Sequence, residues 1–369
     1  MKKVQKALLV LLRAGLWESR IEDLSCFPMS AGEWKNLYLL SRQQTVTGIV
    51  FQGIQHLPEH FLPAEELLVR WMAETDAIER KNMQMNKALE LLVQWFTESG
   101  VQPVLQKGQG IASLYENPLL RECGDIDFYF DSRQMFEKAF SLIRQCGLRE
   151  KVQADQSVTY AWKGVEVEHH TCLLDLHNPF LQRYAKELEQ QYGYNHMRLE
   201  GGLDVRIPSP VLNLLLQSLH ILKHALGWGI GLRQLCDMAR SCYKLHDEVE
   251  SEEMKKITLQ LGMDRWSPKS WKRLFSTLLH AFLVEHLGLP VAYLPYQEVA
   301  SDSSPLLDII WRGGNFGLYV PGHQRKSQSL LAGKWQTACA FQRNIRFAFR
   351  YAPKEGFWVF SSLLKGQLK

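Results

Sequence analysis

The chain has 369 residues, 46% of them hydrophobic and 22% charged, and a formal net charge of +4. That balance excludes intrinsic disorder, because eleven Trp and seventeen Phe supply ample apolar surface to bury. The small charge does not by itself mark a nucleic-acid binder, and no stretch approaches the roughly 18 apolar residues of a membrane span.

The length is enough for two or three packing units. The opening MKKVQKALLVLLRAGLW imitates a secretory signal, but Arg13 interrupts its apolar run and no small-x-small cleavage site follows. Val4, Leu8, Leu11, Leu12 and Leu16 fall instead at the spacing of a packed amphipathic helix. Further helices are predicted over 31–43, 46–55 and 64–99, where Leu68, Trp71, Met72, Met85, Leu89, Leu92 and Phe96 recur at helical spacing before Gly100. The Met and Trp residues there read as core.

Strands and short helices then alternate. Strands are expected over 103–106, 125–130, 157–162 and 165–173, and helices over 109–115 and 132–145; Lys163-Gly164 makes a hairpin turn between the last two strands. From 208 the pattern returns to helix over 210–226, 232–246, 252–261 and 269–287, with two late helices near 334–351 and 355–364. The span 290–328 is rich in Pro, Gly and Ser and is expected to be loop. The fold class is therefore α+β, with a small mixed sheet in a core at 100–207, a helical N-terminal region at 1–99 and a helical C-terminal region at 208–369. The seven cysteines are scattered and form no Cys-x-x-Cys pair, which points to buried thiols in a reducing cytoplasm.

The chemistry concentrates between Val104 and Asp131. Strand alternation puts Asp125, Asp127, Tyr129 and Asp131 on one face and Ile126, Phe128 and Phe130 on the other. Carboxylates at i and i+2 lie about 6.6 Å apart along a strand, close enough to converge on one Mg²⁺ or Mn²⁺, or on two ions roughly 4 Å apart. An Asp-x-Asp pair is common by chance. It gains weight from a second acidic strand, where Glu166, Glu168 and His170 share a face and Glu168 can become a third carboxylate at the site. Upstream, Lys107-Gly108-Gln109-Gly110 joins a strand to a helix, a place where backbone N–H groups meet phosphate oxygens. Lys107 and Arg121 can offset triphosphate charge there.

The stretch Leu105 to Phe130, with its Lys-Gly, Tyr115, Asn117-Pro118, Arg121 and Asp125-Ile126-Asp127, resembles the uncharacterised bacterial nucleotidyltransferase family of the polymerase-beta-like superfamily. By that resemblance Gly108 fills the first glycine position, Asp125 and Asp127 form the metal pair, Glu168 is the third acid and His170 matches a family histidine. Gln109 stands where the superfamily often has Gly or Ser, and Glu168 where Asp is common. The implied activity is Mg²⁺-dependent transfer of a nucleoside monophosphate from a nucleoside triphosphate to a hydroxyl acceptor. A small molecule, sugar or peptide is the preferred acceptor; tRNA or another protein, as for toxin-like branches of the superfamily, and a non-catalytic nucleotide-binding scaffold are the competing readings.

Downstream, Asn213, Gln217, His220 and His224 form a polar stripe on an apolar helix, with Lys223 beside it. The two histidines lack the Glu of a His-Glu-x-x-His zinc motif and read as structural or substrate-contacting. On the next helix Arg233, Asp237 and Arg240 share a face, with Asp237 expected to orient Arg233 or a histidine, or to form a surface ion pair. His170, His220, His224, Arg233 and Asp237 are thus the candidate substrate contacts. Arg325, Lys326, Lys334, Arg343, Arg346 and Arg350 read as a solvated face in preference to an RNA groove.

Overall fold

A computed structural model describes residues 1–153, 156–227, 229–263, 275–315, 342 and 344–367, with side chains through 361. The N-terminal helices form where the apolar spacing places them: α1 (Lys3–Trp17), α2 (Ala31–Gln43), α3 (Thr47–Ile54) and α4 (Glu65–Glu98). Ser30 caps α2 by accepting a hydrogen bond from the Glu33 N–H at 3.3 Å, in a capping box with Glu33. The backbones of α1 and α3 touch through two glycines. A Cβ on Gly15 would stand 1.8 Å from the Ile49 carbonyl oxygen, and one on Gly53 would stand 1.9 Å from that of Leu11. Leu8, Leu11 and Leu12 are fully buried, so the opening segment is part of the core.

The centre is a mixed sheet of seven strands: β1 (Val104–Gln106), β2 (Ile126–Tyr129), β3 (Glu150–Val152), β4 (Val158–Trp162), β5 (Val165–His170), β6 (Tyr194–Arg198) and β7 (Asp204–Pro208), in the order β3-β4-β5-β2-β1-β7-β6. The central strand β2 runs parallel to β5 and antiparallel to β1, with Asp127 opposite Glu168 on one side and Gln106 on the other. Alternation divides the two faces. Ile126, Phe128, Phe130, Val165 and Val167 pack with Met85, Leu89, Leu92 and Phe96 of α4 and with Ala139 and Ile143 of α6 (Arg133–Gln145). Val104 and Tyr129 face a larger core shared by α1, α3 and the later helices α8 (Pro210–Leu226), α9 (Leu232–Leu245) and α11 (Phe275–Leu287).

The sheet is larger than the four strands expected. Strand β3 and the β6–β7 hairpin extend its two edges, and α7 (Gln182–Tyr192) lies between β5 and β6. Short helix α5 (Gly108–Ala112) follows β1, and α10 (Ser251–Gln260) follows α9. One expectation is overturned: the span 290–328 contains α12 (Ser304–Gly313), on which Leu306, Ile309 and Ile310 are buried. Pro305 sits in its first turn, where a missing N–H costs nothing, so the residue read as a breaker is a helix start. The early part of the expected 269–287 helix, half of the 334–351 helix, and Arg325, Lys326, Lys334 and Arg343 lie outside the described residues. Arg346 and Arg350 are exposed on the helical segment before the C-terminal helix Pro353–Gln367, as a solvated face requires. Among the described residues no helix is long and apolar enough to cross a membrane.

Candidate active site

The site begins where two strands present carboxylates on the same face. The parallel pairing of β2 with β5 sets Asp127 beside Glu168 at one register position, and His170 follows two residues on, on the same face. One ligand atom from each of Asp127, Glu168 and His170 lies within 4.8 Å of the other two, a set able to hold a metal ion. The His170 Nε2 is 2.6 Å from Asp127 Oδ1 and 3.9 Å from Glu168 Oε2. The Ser157 hydroxyl donates to Glu168 Oε1 at 2.7 Å. Neighbouring His169 turns to the opposite face, fully buried among Phe96, Phe130 and Tyr160.

Asp125 precedes β2 and lines the same cleft, outside that group of three. The charge of Asp127, followed by burial, raises the Asp125 carboxyl to about 6, against the opposing pull of Lys107 and Arg233. Burial works against ionising Asp127 too, but the charge of Lys107 and the contact with His170 outweigh it and hold this carboxyl below the usual carboxylate range. The two acids of the Asp-x-Asp pair are thus driven apart, a pattern that marks functional sites. Glu166, the alternate acid on β5, is exposed and does not line the cleft.

Lys107 occupies the turn between β1 and α5 with φ +44° and ψ −139°, a region that non-glycine residues enter at a cost of about 1–3 kcal/mol. Gly108 follows with φ +44°, where a Cβ would stand 3.4 Å from the Asp125 carbonyl oxygen. Helix α5 has only five residues, so the Lys107 charge and not a long helix dipole dominates the field here. Gln109 is buried, and neither of its side-chain polar atoms has a hydrogen-bond partner among the described residues.

Arg121, expected to contact phosphates, lines the cleft from within an ion pair. It is buried at 4% exposure and makes a two-point ion pair with Asp237, Nε to Oδ1 and Nη2 to Oδ2, both at 2.7 Å. Its Nη1 donates to Cys123 Sγ at 3.1 Å. The Tyr115 hydroxyl also donates to Asp237 Oδ1, at 2.7 Å. Asp237 is therefore committed to Arg121 and Tyr115 and is no surface residue. Arg233 donates to the Glu122 carbonyl at 2.6 Å, and Arg240 reaches Leu114, Leu16 and Glu116. The loop carrying Asp125 is thereby clasped from several sides: Lys81 and Asn82 on α4 hold the carbonyls of Cys123 and Arg121, and Glu122 accepts from the Thr47 N–H.

In the polar stripe of α8, Gln217 donates to Asn213 and to Ser241 on α9. Gln217, His220 and His224 all line the cleft, the two rings 4.4 Å apart, and burial first, then the nearby lysines, lowers the pKa of both histidines, that of His224 to about 3. Lys223 pairs with Asp175 at the cleft wall. The cleft has a volume of about 740 Å³ and mixed charge. Sequence reasoning missed Ser157, Asp175 and Cys172, which line it. Asp175 and Cys172 lie in the irregular segment after β5, where no periodicity singles out a residue.

A sequence profile describing uncharacterised nucleotidyltransferases matches residues 30–267. No curated protein matches the chain. Among solved structures, the crystal structure of an antigenic nucleotidyltransferase-like protein from Paracoccidioides brasiliensis is similar over 48% of this chain and 87% of its own, at 14% identity and a TM-score of 0.33.

Proposed function

The chain belongs to the uncharacterised nucleotidyltransferase family, and from that premise we propose that it transfers a nucleoside monophosphate from a nucleoside triphosphate to the hydroxyl of a small acceptor, a metabolite, sugar or peptide. The observation that carries the reading is the convergence of Asp127 and Glu168 from two parallel strands, with Asp125 beside them, at the wall of one cleft. Without a counter-charge these carboxylates repel, as the raised Asp125 shows. The donor chemistry suits a hard divalent cation such as Mg²⁺ or Mn²⁺, which Asp125, Asp127 and Glu168 would hold. Such an ion supplies charge neutralisation for the triphosphate and polarises the phosphorus under attack.

The acceptor oxygen forms a bond to the α-phosphorus as the bond to pyrophosphate breaks. Glu168 would complete the cation site or accept the acceptor's proton. Lys107 and Arg233, whose charges already act on Asp125, neutralise the leaving phosphates. Arg121 serves the site through Asp237, fixing the loop that leads into β2. A cleft of about 740 Å³ with both signs of charge fits a nucleotide and a small acceptor, whereas an RNA substrate calls for a continuous basic groove.

The test is incubation with each labelled nucleoside triphosphate, a divalent cation and a panel of hydroxyl acceptors. Pyrophosphate should appear together with a labelled acceptor, and both should vanish in Asp127→Asn. Equal product from that variant would sink the assignment.

A further inference from the structure

We propose that His170 is itself a ligand of the cation, and that this nitrogen donor makes the site prefer a first-row transition ion over Mg²⁺. The inference rests on the reading of Asp127 and Glu168 as metal-holding residues and adds a ligand of different chemistry. Three facts support it. Strand alternation puts His170 on the same face as Asp127 and Glu168, not on the opposite face with His169. Its Nε2 approaches both carboxylates, at 2.6 Å and 3.9 Å, and all three donor atoms lie within 4.8 Å of one another. The group stands in the cleft, with His170 and Glu168 half-buried and Asp127 buried, so an ion can enter and still be held.

The consequence follows from donor hardness. Mg²⁺ demands near-ideal octahedral oxygen ligation and is poorly served by imidazole. Divalent Mn, Fe, Co, Ni and Zn take imidazole with rising affinity along most of the series. A site that joins one histidine to these carboxylates therefore discriminates in their favour. For His170 to ligate, its proton must sit on Nδ1, leaving the Nε2 lone pair for the ion.

Mn²⁺ is the probe, because its electron spin reports directly bound nitrogen. Pulsed electron paramagnetic resonance of the full-length protein with Mn²⁺ and inorganic triphosphate, which contains no nitrogen, should show coupling to an imidazole ¹⁴N. The coupling should change on uniform ¹⁵N-histidine labelling, disappear in His170→Gln and persist in His220→Gln, which removes another cleft histidine. Mn²⁺ affinity should fall at least about tenfold in His170→Gln while Mg²⁺ affinity changes by less than about threefold, as expected for loss of one nitrogen donor. Asp127-dependent Mn²⁺ binding without nitrogen coupling in the wild type would overturn the inference, leaving His170 to orient Asp127 by a hydrogen bond and the transferase reading intact. Absence of any Asp127-dependent binding would overturn that reading as well. Absence of nitrogen coupling in the wild-type spectrum overturns the inference even if a variant fails to fold.

Discussion

The cleft has two halves built by different rules. On the sheet half, Asp127, Glu168 and His170 come together because parallel pairing and a two-residue side-chain period leave them nowhere else to point. On the helical half, Tyr115, Arg121 and Asp237 meet across more than a hundred residues of sequence, and Arg233 reaches the Glu122 carbonyl. The sheet half exposes charge to the cleft and leaves it in need of a counter-ion. The helical half buries charge and satisfies it internally. One half is arranged to bind, the other to hold the binding half still.

That contrast can be broken most sharply at Asp127 and Asp237. Asp127→Asn should lower nucleotide transfer on the order of 10³-fold, the scale of losing a key electrostatic group, with a smaller loss of stability, because relief of the repulsion on Asp125 offsets part of the lost attraction to Lys107 and His170. Asp237→Ala should do the reverse. It strands the buried Arg121 guanidinium and should destabilise the fold by about 3–5 kcal/mol, read by denaturant unfolding. The double variant Arg121→Met/Asp237→Leu should recover most of that stability, because a well-packed apolar pair can replace a buried ion pair. If Asp237→Ala were as stable as the wild type, the clasp on the Asp125 loop would not be structural.

The same contrast explains what the sequence reveals. The acidic strands are legible because alternation is a strictly local rule: given the strands, the shared face of Glu168 and His170 and the opposite fate of His169 follow. The apolar helix over 210–226 is legible for the same reason. The partner of Asp237 is not, since i, i+4 spacing points to Arg233 while the ion pair goes to Arg121 on another element. The bonding of the α8 stripe is hidden likewise, because only the docking of α9 brings Ser241 to Gln217. Helix α12 is lost to a composition rule that counts Pro305 without its position.

Arg233 lies on the boundary, a helical residue whose charge reaches the sheet carboxylates. Arg233→Met should raise the KM for nucleoside triphosphate roughly tenfold to a hundredfold, the range for one charged hydrogen-bonding group, with a smaller change in kcat. An effect on the acceptor KM alone would move Arg233 from the nucleotide to the acceptor side.

The smallest effects separate the halves by pH, in protein stripped of divalent metal. Burial, followed by the charges of Lys223 and Lys107, lowers the pKa of His224 to about 3, and burial lowers that of His280 to about 4. The unfolded chain takes up protons near pH 6.5 that these rings refuse, so their contribution to stability is complete above that value and is lost as pH falls toward 4. His224→Gln should flatten this decline by about 1 kcal/mol at pH 5.5. Asp125 acts in the opposite sense. Its folded carboxyl, raised to about 6, binds protons more tightly than the unfolded one, so its ionisation costs stability above pH 6 and the cost disappears as pH falls below 4. Asp125→Asn should therefore stabilise the metal-free protein by about 1–2 kcal/mol at pH 7.5 and leave it unchanged near pH 4. Melting curves across that range check both signs. A stabilisation that persisted at pH 4 would mean that the gain comes from packing and that Asp127 does not repel its neighbour.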